Sequence, residues 1–176
     1  MCNGSSAIEY QLANEHIIID SRALCAGHNS VVVAFEARSQ SLNRNDEFLY
    51  TLLVPDRART LFPSFDQPDL KASFSLSLTI PREWVAVSNT AVEHCEAIDD
   101  HRQSVRFAPT EPLSTYLFSF VAGRLNSRTY DDGEHRFTAY YRESDPKRLA
   151  QLDKIFAEVK AALVWLEEYT QIEYPF

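Results

Sequence analysis

The chain is 176 residues long, 45% hydrophobic and 24% charged, a globular composition that excludes a disordered chain and fits one domain, or one domain with part of a second. Its formal net charge of -8 lacks the basic footprint of a nucleic-acid binder. No apolar run reaches the roughly 18 residues of a membrane-spanning helix, and Met1 to Ser6 have neither the basic start nor the apolar core of a secretion signal.

The first four-fifths reads as strands and turns. Residues 7–12 and 16–19 flank a break at Ala13-Asn14-Glu15, and Gly27-His28-Asn29 turns into a strand over 31–37 with Val31, Val33 and Phe35 on one face. Residues 48–54 are apolar on both faces, as in a buried strand. Residues 72–80 alternate strictly, Ala72, Phe74, Leu76, Leu78 and Ile80 against Ser73, Ser75, Ser77 and Thr79, until Pro81. A short strand over 84–88 follows, then strands 91–98 and 104–107 around a turn at Asp99-Asp100-His101. Strands 115–122 and 125–130 are separated by Gly123, and Asp132-Gly133 forms a two-residue turn into 135–141.

The texture changes at Ser144-Asp145-Pro146, a cap followed by proline in a first helical turn. Leu149, Leu152, Phe156, Val159, Leu163 and Leu166 form one apolar stripe on a helix running to about Tyr169. This single helix must pack on a sheet or on another chain.

Few residues suggest chemistry by spacing alone. Cys2, Cys25 and Cys95 form no CxxC, which points to reduced thiols and a cytoplasmic setting. None of the five histidines begins an HExxH. Asp131, Asp132, Glu134 and His135 read as a solvated turn rather than a cation site. His94 and Cys95 alternate to opposite faces of a strand, which argues against a metal shared with His101. Asn3-Gly4-Ser5 is a glycosylation sequon only on paper.

Residues 50–74 carry a denser pattern. Ala58-Arg59, Phe62-Pro63, Phe65-Asp66, Pro68, Lys71-Ala72 and Phe74 reproduce AR..FP.FD.P..KA.F without a gap. On these residues the chain resembles the N-terminal domain of the aminopeptidase N family, zinc metallopeptidases that also include the leukotriene hydrolases. The resemblance continues through Trp84-Val85-Ala86-Val87-Ser88-Asn89, Pro112-Leu113-Ser114-Thr115-Tyr116-Leu117 and Val121-Ala122-Gly123. The last residues, from Leu163 to Phe176, look like the first helix of the family's catalytic domain.

The resemblance implies a mainly β fold, an antiparallel saddle-like sheet or sandwich followed by one long C-terminal α-helix. It implies that residues 1–140 are part of the N-terminal β-domain and residues 141–176 the start of a thermolysin-like catalytic domain. In the family, zinc activates a water, a glutamate acts as general base and acidic residues hold the substrate's α-ammonium. The GxMEN loop and HExxH that follow Tyr-Pro-Phe in relatives have no counterpart here, and the start looks cut by about two strands. The expectation is therefore a chain with no catalytic residue and no metal ligand, inactive alone, whose catalytic domain, zinc and peptide substrate belong to a longer parent. The alternative is a stand-alone protein-interaction β-domain of the same fold. Without its partner domain, the helix stripe is expected to fold back or to self-associate.

Two residues stand out as substrate-binding candidates. In many relatives the strand before the motif carries Thr-Gln, and the glutamine amide contacts the substrate's amino end. Counting back from Ala58-Arg59, these positions are Thr51 and Leu52. A leucine cannot accept a hydrogen bond from an ammonium. Leu52 therefore either packs within the strand or lines an apolar first subsite.

Overall fold

The computed structural model describes residues 3, 4 and 8–174. Its contacts divide the chain into two units, Met1–Arg38 and Ser39–Phe176.

In the first unit, β1 (Tyr10–Ala13) pairs antiparallel with β2 (His16–Ile19), Ala13 opposite His16. Asn14 and Glu15 turn the chain at φ 50° and 64°, the left-handed pair that a two-residue type I′ hairpin requires. The break thus has two residues, not three, and Ala7 lies outside the described residues. The strand expected over 31–37 reduces to a one-residue bridge at Val31; residues 32–37 belong to no strand. Valine-rich runs favour strands only where a neighbouring strand packs against them, and the described sheet of this unit is the two-stranded β1–β2.

Among the described residues, the second unit holds three antiparallel sheets. The largest has the order β3 (Leu42–Arg44), β4 (Phe48–Thr51), β9 (Phe120–Gly123), β6 (Val85–Ser88). A second has the order β5 (Ser77–Pro81), β8 (Arg102–Phe107), β7 (Val92–Ala97). Inward residues of both sheets form one core: Ile80 and the β8 pair Val105 and Phe107 meet Ala86 and Ala122. Leu76, Leu78 and Trp84 pack against its margin. The alternation holds over 74–80, with Phe74, Leu76, Leu78 and Ile80 turned inward and the serines outward, whereas Ala72, expected on the inward face, is exposed. The ladder itself begins only at Ser77, after an isolated bridge from Ala72 to Leu113.

The run 48–54 departs from expectation. β4 ends at Thr51, and only one face is buried: Thr51 and Leu53 point inward while Tyr50, Leu52 and Val54 are exposed. With no polar residue but Thr51 in the run, its composition does not distinguish the two faces. The strand expected from 115 opens instead with a 3-10 turn, Thr115–Leu117, before β9.

The third sheet is the hairpin of β10 (Asn126–Asp131) and β11 (Arg136–Tyr141). Asp132 N donates to the His135 carbonyl, so the two central turn residues are Gly133 and Glu134, one position beyond the expected pair. Gly133 has φ 88°, as the first central residue of a type II′ turn requires. Asp145 then caps α1 (Pro146–Leu149), its carboxylate accepting from Lys147 N at 2.9 Å. A tighter turn, with Gln151 N donating to the Arg148 carbonyl, leads into α2 (Leu152–Thr170). Left-handed Gln171 closes the helix on the Glu167 carbonyl.

The helix folds back on the hairpin through Phe156, which is 4% exposed and stacks on Tyr130 with ring centroids 5.9 Å apart. The stripe is buried only in part. Leu149, Leu152 and Leu163 are half-buried, whereas Val159 and Leu166 join Ile155 and Tyr169 on an exposed side.

Close approach, not backbone conformation, dictates the glycine at the end of β9. Gly123 stands opposite Phe48 on β4 and Val85 on β6. A Cβ there would lie 2.6 Å from Phe48 Cβ and 2.9 Å from the Glu47 carbonyl oxygen. One neighbour is a backbone oxygen and the other the first side-chain atom of a strand residue, and neither can swing away. Gly123→Ala is expected to destabilise the protein by about 1–3 kcal/mol, the usual cost of overpacking. Urea unfolding measures it, and an unchanged midpoint would contradict the contact.

Candidate functional site

The loop that carries the motif begins where β4 runs out. Leu52 N makes one further rung to the Ser41 carbonyl at 2.9 Å, and Arg57 N then turns back to the Leu53 carbonyl at 2.8 Å. Buried Ser41 shares a 2.7 Å hydrogen bond with the Thr60 hydroxyl, which ties the edge of β3 to the 3-10 turn Ala58–Thr60.

The motif residues now acquire physical roles. Ala58 is fully buried, where a larger side chain has no room. Asp66, its side chain 8% exposed, accepts from Arg59 N at 3.1 Å and lies 3.6 Å from the Arg59 guanidinium. The guanidinium also donates to the Asp56 carbonyl. Phe62 and Phe74 pack with Phe118, the Phe74–Phe118 pair stacked at 4.5 Å and Phe62 edge-on to both.

Residues 112–117 hold this loop in place. Ser114 Oγ donates to the Pro68 carbonyl and Thr115 Oγ1 to the Phe65 carbonyl at 3.0 Å. Leu113 exchanges backbone hydrogen bonds with Ala72, both 3.1 Å. Thr110 Oγ1 accepts from Phe74 N at 3.0 Å. Ser114 and Thr115 have no sequence signal beyond the family-like run in which they lie, and Thr110, outside it, has none.

The two substrate-binding candidates point opposite ways. Thr51 is 8% exposed, and its hydroxyl bonds both backbone groups of Phe120, accepting from N at 3.1 Å and donating to O at 3.4 Å. That hydroxyl joins β4 to β9 where the ladder ends. Leu52 is 49% exposed, in a row with Tyr50 and Val54. Phe48, of the same parity, stacks on Tyr50, and the Arg142 guanidinium lies 4.3 Å over its ring. The surface this side offers is apolar and aromatic, with the ion pair of Arg142 and Glu47 at its Phe48 end.

The remaining polar clusters are structural. Asp132 accepts from His135 N at 2.8 Å, Glu134 N at 3.1 Å and Tyr130 Oη at 3.0 Å, and pairs with Lys160 of α2. It closes the turn and pins the helix. His94 sits 3.4 Å from Glu96 on exposed β7, and Cys95 Sγ donates to the Gln103 side chain. Asn3 Nδ2, the sequon amide, donates to Asn29 Oδ1 at 2.8 Å. Among the described residues no group of three or more His, Cys, Asp or Glu stands together to hold a metal. The zinc of the resembled family therefore finds no ligand set in these residues, and no step runs through it. No helix among them is long and apolar enough to cross a membrane.

Lys160 first, then the backbone N–H of His135, hold the Asp132 carboxyl well below the usual carboxylate range, and Asp132 in turn raises Lys160. A depressed carboxylate contributes stability above its unfolded pKa, about 3.9, and loses it as pH falls through the lower folded value. The raised lysine contributes below its unfolded pKa, about 10.4, and loses it as pH rises through the higher folded value. The helix contact is thus expected to hold between these limits and weaken in strong acid. Carbon-detected NMR titration of Asp132 checks this: Lys160→Met should return the midpoint toward 3.9, and a normal midpoint in the unmodified chain would refute the pairing.

Residues 28–117 match the family model of the peptidase M1 N-terminal domain. The chain is 32% identical over 120 residues to glutamyl aminopeptidase of Sus scrofa, covering 68% of this chain and 12% of that protein. It is 44% identical over 70 residues to aminopeptidase N of Acetobacter pasteurianus, 40% of this chain and 20% of that one. With aminopeptidase N of Streptomyces lividans it shares 31% over 134 residues, 73% of this chain and 15% of the other. The chain thus spans between 12% and 20% of the length of these relatives.

Proposed function

The chain belongs to the peptidase M1 N-terminal domain family, and we propose that it is the non-catalytic β-domain of a zinc-dependent aminopeptidase that removes N-terminal residues from peptides. Its part in that enzyme is to wall the substrate cleft. Residues 1–140 form part of this β-domain, and residues 141–176 begin the catalytic domain. The observation that supports the reading is the exposed row Tyr50, Leu52 and Val54, which lies inside the matched stretch and borders the clamped loop. The zinc ligands and the general base belong to the catalytic domain of the parent. Residues 1–176 alone are expected to neither retain stoichiometric zinc nor hydrolyse aminoacyl-anilides. Metal analysis with an anilide assay tests this, and turnover above background would overturn the non-catalytic role.

Leu52 is the specificity candidate within that reading, with Thr51 behind it as its support. Its exposure favours the apolar first subsite over plain strand packing. Leu52→Gln in the parent enzyme is expected to lower kcat/KM for apolar N-terminal residues relative to basic ones by roughly 10-fold, the scale of one lost hydrophobic contact. An unchanged ratio would leave Leu52 as packing.

The alternative, a stand-alone protein-interaction domain, draws support from the exposed side of α2, where Ile155, Val159, Leu166 and Tyr169 stand uncovered. In the aminopeptidase reading the catalytic domain covers this row, and the separated chain self-associates through it. Deleting residues 144–176 is then expected to lower the apparent mass to that of a monomer in light scattering. A chain that is already monomeric with the helix present would sink the self-association. A downstream HExxH in the gene distinguishes the enzyme from the interaction module.

A further inference from the structure

We draw no further inference here: the strongest candidate, the exposed apolar side of the C-terminal helix at Ile155, Val159, Leu166 and Tyr169, carries nothing beyond the docking role already proposed for it, because nothing in the structure shows what covers it.

Discussion

Ser114 and Thr115 donate to the carbonyls of Pro68 and Phe65, and the arrangement of the larger unit hangs on this clamp. Between Leu53 and Lys71 the described backbone turns on itself and forms no strand ladder. Carbonyls left without partners are costly where water is kept out, and the hydroxyls of Ser114 and Thr115 supply donors to two of them. Once it is held, Phe62 and Phe74 reach Phe118. Asp66 and Arg59 then close the loop on itself. Leu53 and Ala58, both buried, anchor the segment that follows the exposed row.

This arrangement explains why short family-like runs lie far apart in the sequence. Residues 58–74 are the clamped segment and residues 112–117, with Thr110 just before them, the clamp. Gly123 is the point where β9 comes too close to β4 for any side chain. Each run is one half of a contact, and neither half has a physical role without the other.

Much of the fold was legible where polar and apolar residues alternate. The serines at 73, 75 and 77 mark an outer face that needs no further information. The turn at Asp99-Asp100-His101 and the cap at Asp145 were equally readable, because both depend on local side chain to backbone bonds. Legibility failed where local chemistry was ambiguous. In residues 48–54 both faces are apolar, so only the sheet decides that Leu52 is outside and Leu53 inside. Thr115 looked like a strand residue, but its hydroxyl is spent on a carbonyl fifty residues earlier in the chain. Asp132 looked like a turn centre and instead caps the turn that follows. The valines at 31–33 have strand propensity, yet beyond the bridge at Val31 residues 32–37 belong to no strand. For the candidate site, the position of Leu52 came from a motif count, while its exposure and the neighbouring Tyr50 and Val54 required the three-dimensional arrangement.

The strand order β3-β4-β9-β6 also bears on how the protein is made. β9 lies between β4 and β6, with Phe48 and Gly123 as direct partners. The main sheet therefore cannot close until the ribosome has released residues well beyond 123, and the entropy of bringing such distant strands together must be met first. During that interval β4 and β6 both present unpaired edges, and apolar Tyr50, Leu52 and Val54 stand beside one of them. Such nascent edges are sites of intermolecular strand pairing. Any truncation that removes β9 would leave those edges open permanently, so the main sheet can form only in a chain that includes both partners of the Phe48–Gly123 contact.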